Sequence, residues 1–230
     1  MRFVLKNLIS LEQLNSFSKK YFIFILFIIF FIIYFCTGLC LTFHNDFFEE
    51  TYDIMFGADT MRVYLDMTDP QNFHYRTRVH PLAIILIQPI IILMKSLFTN
   101  PKITVLILEA IIASSSVCLI FSILKRLTNC FNTSVLCSLM YGVCFSSLLF
   151  ASIPELYVFS AFFQILLWYL VIRKTQLTSA TITNKEIFIF ATLGTFATGI
   201  NIINGVTFLF PIIYLLIKQF SATCSPRSRE

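Results

Sequence analysis

Charge is scarce in this sequence. Of its 230 residues, 13% are Asp, Glu, Lys or Arg, where soluble domains carry roughly a quarter. A water-soluble globule is thereby excluded. No P-loop, GxGxxG, GxSxG or HExxH stretch occurs, so soluble-nucleotide chemistry has no support. The seven cysteines show neither CxxC nor Cys/His spacing, and six of them (Cys36, Cys40, Cys118, Cys130, Cys137, Cys144) stand in or beside apolar segments. That pattern excludes a zinc site or a disulfide framework and leaves packing as their expected use. No internal repeat is visible, and no small-residue cleavage site follows the first apolar run.

What the chain does hold is apolar bulk. It is 57% hydrophobic and 16% aromatic, with 27 Phe and a mean hydropathy of +0.83. Several apolar runs approach the ~20 residues that a helix needs to cross a bilayer. The fold class expected is all-α, a multi-pass transmembrane helical bundle. The first run, 21–43, lies behind Lys19 and Lys20 and reads as an uncleaved anchor. Further runs follow at 82–98, 103–124, 133–151, 156–172, 187–200 and 206–217.

Basic residues decide how many of these runs cross. If all do, with the amino terminus inside, Lys125, Arg126, Arg173, Lys174, Lys185 and Lys218 fall outside. The positive-inside tendency places them in the cytoplasm. Holding the 82–98 run at the outer face moves the whole set inside, with Arg2, Lys6, Lys19 and Lys20. That run is also interrupted by Pro89 and cut short by Lys95. Six crossings result: a cytoplasmic segment 1–20, a first span 21–43, an outer loop 44–102 carrying interfacial helices, five further spans in 103–219, and a cytoplasmic tail 220–230. The expected location is the plasma (inner) membrane, amino terminus in the cytoplasm. Basic helix ends also account for the net charge of +5 without a nucleic-acid partner.

This topology gathers the residues suited to chemistry. The outer loop holds seven of the twelve acidic residues (Asp46, Glu49, Glu50, Asp53, Asp59, Asp66, Asp69). In "FGADTMRVYLDM", Asp59, Arg62 and Asp66 share one helical face at about 100° per residue. Met61, Tyr64 and Leu65 lie opposite, so a short interfacial helix with a solvated acidic face is expected. A plain solvated face with an Asp–Arg pair under ~1 kcal/mol fits the same spacing. In "HYRTRVHPL", Arg76 and Arg78 point the same way in an extended strand and suit a phosphate; lipid headgroups or nearby carboxylates would serve equally. His80 is a phosphate donor or a helix-start residue. Glu155, in the turn "ASIPELY", shares the outer side with Asp59, and Tyr157 is placed to orient it. Glu109, inside its run, is expected to find Ser114, Ser115 or Ser116. In "GINIING", Asn201 and Asn204 mark a tight outer turn or a polar patch beside a substrate.

The order of these features resembles the GT-C class of polyprenyl-phosphate-dependent membrane glycosyltransferases. It is most similar to the protein mannosyltransferase and aminoarabinose transferase (family 39-like) branch. The residues that carry the likeness are "GADTMRVYLDMTD" in the first outer loop, "HPL" opening an apolar run, and "PELY" at an outer turn. The resemblance implies a hexosyl- or pentosyltransferase that inverts the anomeric carbon. It makes Asp59 and Glu155 the catalytic acids and puts Arg62, Arg76, Arg78 and His80 at the donor phosphate, with Asp66, Tyr157, Asn201 and Asn204 in support. Partners implied are a polyprenyl-phosphate-linked sugar donor, the lipid bilayer, and a glycan, lipid or protein acceptor. No cofactor is required, and a divalent metal between carboxylate and phosphate is compatible with the pattern. Members of the class are considerably longer, so an N-terminal part or a short form is implied. A transporter or channel fragment built on Glu109, Glu155 and the breaks near Pro89 and Gly199–Gly205 is a rival, as is a non-catalytic assembly partner.

Overall fold

The structure, a computed structural model, describes residues 2–44, 60–71, 80, 82–98, 100–176 and 182–224. Every regular element among them is helical: α1 (Arg2–His44), α2 (Thr60–Thr68), α3 (Ala83–Lys95), α4 (Pro101–Thr128), α5 (Phe131–Val143), α6 (Phe145–Phe150), α7 (Tyr157–Thr175), α8 (Asn184–Ile200) and α9 (Asn204–Cys224). Three segments are long and apolar enough to cross a membrane: Tyr21–Phe43 of α1, α4 and α7. These fit a membrane protein, and so does the apolar exterior. On α1 alone Phe24, Ile25, Ile28, Ile29 and Ile32 are exposed, a surface that water would penalise and lipid would not.

While α8 and α9 pack on α7 and on each other, helix α4 packs against α1, α2, α3, α5 and α7. Its start is specified locally: the Asn100 side chain accepts from Lys102 N–H at 2.9 Å with Pro101 in the first turn, and it ends on Asn129 in the left-handed region. These are the signals a helix start and stop require. Small residues Ala110 and Ala113 and fully buried Val105 and Val117 of α4 share one core cluster with Leu26, Phe30 and Tyr34 of α1. Close approach is enforced by glycine. A Cβ on Gly142 would lie 2.2 Å from the Phe30 ring, which is how small residues let membrane helices draw together. Phe22, Phe121 and Phe131 pack as a triad at 5.0–5.8 Å.

The contacts define two ends. At one, Gly38 faces Leu106 and Ser152, and Leu82 N–H donates to the Gly199 carbonyl at 2.9 Å. At the other are the phenylalanine triad, the Arg126–Gln176 hydrogen bonds and the Lys174–Glu186 ion pair. Helix α3 starts beside Gly199 and leads directly into the start of α4, so it begins and ends at the first end. Its 13 residues reach only about 20 Å, short of a bilayer core of about 30 Å.

Three expectations are corrected. Within the 82–98 stretch, α3 runs unbroken through Pro89 from Ala83 to Lys95 rather than as a broken helix. The apolar run 133–151 is split: α5 stops at Val143, extended Cys144 intervenes, and α6 adds six residues. Among the six cysteines whose side chains are described, all free, only Cys118 is buried in the core. Cys36, Cys40, Cys130 and Cys144 are exposed, since an apolar surround makes an outward thiol cheap.

Candidate functional site

Four stretches distant in sequence converge at the first end of the bundle. Asp66 of α2, His80, and Leu156 of the 151–156 turn line one narrow cleft, with Val63, Met67 and Ile84. Beneath that turn, the Glu109 side chain from α4 accepts the Glu155 backbone N–H through Oε1 at 2.8 Å. The Glu155 carboxylate in turn accepts from Leu156 N–H at 3.0 Å. Two carboxyls thus stand together out of solvent, Glu109 at 0% and Glu155 at 2% exposure. Glu109 Oε2 is buried with no hydrogen-bond partner among the described residues. A buried polar atom in that state is costly, and among the described side chains Thr42 Oγ1 shares it.

Several assignments from the sequence change. Asp66 is not on a solvated face: Val63, Asp66 and Met67 form the buried side of α2, while Arg62 is exposed. Helix α2 packs against α3 and α4 rather than lying alone, so its inward side takes Asp66 along with its apolar neighbours. Gln88 donates to the Asp66 carbonyl at 3.1 Å and Lys95 to the Thr68 carbonyl at 2.5 Å, tying α3 to α2. Burial also pushes the Tyr64 phenol above its ordinary value, against a lowering by Thr68.

His80 is buried, and its Nδ1 lies 2.5 Å from the Ile200 carbonyl. A carbonyl can only accept, so Nδ1 carries a proton there and is spent on fastening the start of α3 to the end of α8. Tyr157 does not orient Glu155: it is 46% exposed and its ring rests on Phe150 at 5.1 Å. The serines expected to satisfy Glu109 bond their own helix instead, Ser114 to Ala110, Ser115 to Ile111 and Ser116 to Ile112 carbonyls. Asn201 caps a turn by accepting Ile203 N–H at 3.2 Å. Asn204 is buried and donates to Ser160 Oγ at 2.5 Å and the Ala197 carbonyl at 2.9 Å. Both asparagines therefore build the turn. Asp59, Arg76 and Arg78 lie outside the described residues.

A second cavity, of about 220 Å³, opens beside the Glu155 turn, where the α5–α6 break faces α1, α4 and α7. Tyr34, Ser116, Tyr141, Ser146 and Ser147 are among the residues that line it, with Ala113, Phe150 and Val158. Tyr34 spans the break by donating to the Gly142 carbonyl at 2.9 Å. Among the described residues no three His, Cys, Asp or Glu converge as a metal ion would need. The partnership of Glu109 with the Glu155 turn went unseen in the sequence. Its only signal was a second acidic residue in an apolar run one helical hairpin away. No protein-family model matches the chain, and neither does any curated protein or solved structure.

Proposed function

We propose that this chain is a multi-pass membrane glycosyltransferase of GT-C type, moving a sugar from a polyprenyl-phosphate donor to an acceptor hydroxyl at the outer face. The observation that supports it most is the return of α3 to the end where it began, beside Asp66, Glu109 and Glu155. In this reading α3 stays at that end, α1, α4, α5–α6, α7, α8 and α9 make six crossings, and α2 and His80 of the first loop line the cleft at the carboxyl-bearing end. In this reading Asp59 takes the acceptor's proton as its oxygen attacks the anomeric carbon. The bond to the phosphate oxygen breaks with inversion, and its electrons pass to the leaving polyprenyl phosphate. Arg62, Arg76 and Arg78 stabilise that charge, and Glu155, being buried, holds the turn with Glu109 rather than meeting the sugar.

The test is transfer by the purified full chain in nanodiscs, with undecaprenyl- or dolichyl-phosphate-linked hexose and pentose as donors. Asp59→Asn is expected to lower release of polyprenyl phosphate by about 10²-fold or more while leaving insertion intact. Wild-type release by that variant overturns the assignment.

One observation favours a second reading. An unpartnered carboxyl oxygen within α4, near a helix interrupted at Cys144, is the arrangement of a transporter, where broken helices line a polar path. That reading requires water at Ser116.

A further inference from the structure

The Glu109 carboxyl has no part in the sugar transfer proposed above. It is fully buried on α4, where Oε1 accepts the Glu155 N–H at 2.8 Å and Oε2 meets no donor among the described residues. Serines within two turns of it bond carbonyls of their own helix instead. The other ionisable groups at this end of the bundle are Asp66 of α2, His80, Lys95 of α3, Lys102 of α4 and Glu155 of the turn. Tyr34 of α1, Tyr141 of α5 and Tyr157 of α7 line the cavity beside that turn. None of these side chains forms a hydrogen bond or ion pair with Glu109.

An ionised carboxylate in such a place costs far more than a neutral acid. Its neighbour raises that cost. The Glu155 carboxyl accepts from Leu156 N–H at 3.0 Å, so the two acids hold consecutive amides of one turn. Two negative charges in that arrangement repel strongly away from water. One proton on Oε2 removes the repulsion and leaves Oε1 able to accept the Glu155 N–H. A metal ion would need further oxygen ligands, and no third His, Cys, Asp or Glu joins the pair among the described residues.

The turn that Glu109 holds is itself out of solvent. Ala151, Ser152, Ile153, Glu155 and Leu156 are all buried, and Ser152 Oγ donates to the Tyr34 carbonyl at 3.2 Å. Leu156 at its end is a wall of the cleft shared with Asp66 and His80. We propose that Glu109 binds one proton, and that this proton latches the 151–156 turn onto α4. Losing it to water leaves a carboxylate that only solvent can stabilise, and the turn lifts to let solvent in, taking the Leu156 wall with it. The docked turn thus binds one proton more than the lifted one. Docking is therefore complete at low pH and is lost as pH rises. Nothing in this depends on glycosyl transfer.

Two measurements on the full chain in nanodiscs test the latch. The infrared difference between wild type and Glu109→Gln is expected to show the C=O stretch of a neutral carboxylic acid, shifted in heavy water and absent from the variant. For the turn, single cysteines replace buried Ile153 or exposed Ile202 in a cysteine-free background. The ratio of their labelling rates cancels the ionisation of the thiol. That ratio should rise by about tenfold per pH unit while the turn is mostly docked, the slope of one proton. With Glu109→Gln it should be flat. A slope that survives in that variant assigns the titration to His80 or another group and overturns the latch, as does a flat wild-type ratio. Absence of the carbonyl band overturns the proton site itself. So does a band that vanishes on adding sodium or magnesium at constant pH, which would mean a bound metal cation. Should Glu109→Gln fail to insert, the wild type decides alone: its band must fade over the same pH range in which the ratio rises, and a mismatch overturns the proposal.

Discussion

Asn204 ties three helices with one side-chain amide: it opens α9, bonds Ser160 in the first turn of α7, and satisfies the Ala197 carbonyl near the end of α8. Gln164 adds a bond to its backbone carbonyl at 3.2 Å. Replacing Asn204 by Ala is expected to cost about 1–3 kcal/mol, because Ser160 and the Ala197 carbonyl lose a buried partner. Denaturation of the purified variant in detergent measures this, and a change below about 0.5 kcal/mol would show the bonds to be replaceable. The sequence showed that Asn201 and Asn204 mark a helix break, but a turn and a substrate patch looked alike there. What separates them is whether the amide is spent on protein, and only packing answers that. Glu109 and Glu155 teach the same lesson. Each was visible as an expensive group, yet the bond between them joins residues 46 apart in the chain.

At the scale of the element, apolar length placed the spans that fall within α1, α4 and α7, though not the extension of α1 back to Arg2. The interruption of the 133–151 run was invisible, because neither proline nor glycine stands at Cys144. The Tyr34 hydroxyl donates to the Gly142 carbonyl beside the break, and that compensation comes from another helix. Pro89 shows the reverse. A proline that looked like a break sits inside an intact α3, exposed on its outer side, because α3 is held by Gln88, Lys95 and Leu82 rather than by its own ladder alone. The joint between α3 and α8 depends on Gly199, where an added Cβ would lie 2.4 Å from the Leu82 side chain. Gly199→Ala is therefore expected to push α3 off α8 and cost about 1–3 kcal/mol, the usual penalty of overpacking. The check is a lowered midpoint of unfolding together with faster proteolysis between α2 and α3. An unchanged midpoint would mean that Leu82 simply turns aside.

For the whole molecule, the alternation of helix ends makes a prediction about sides. In a cysteine-free background, single cysteines at exposed Ser96 and Ile202 should react with an impermeant thiol reagent from one face of the membrane. Those at exposed Thr128 and Lys185 should react only from the other. Ser96 and Ile202 on opposite faces would mean that α3 traverses after all. Labelling at Ser116 in the same series would bring water to mid-bundle and favour the transporter reading over the glycosyltransferase.

Composition by itself determined that this chain is helical and apolar enough for a membrane, since so few charges among so many phenylalanines leave no stable alternative. The placement of basic residues further implied which stretch stays at one end. Only the tertiary structure decided which polar groups are used up in holding helices together and which are left over. His80 and Asn204 belong to the first kind; Glu109 Oε2, Arg173 and Lys185 belong to the second. The reason is that hydropathy is a property of a segment, whereas satisfaction of a polar atom depends on what another segment brings to it.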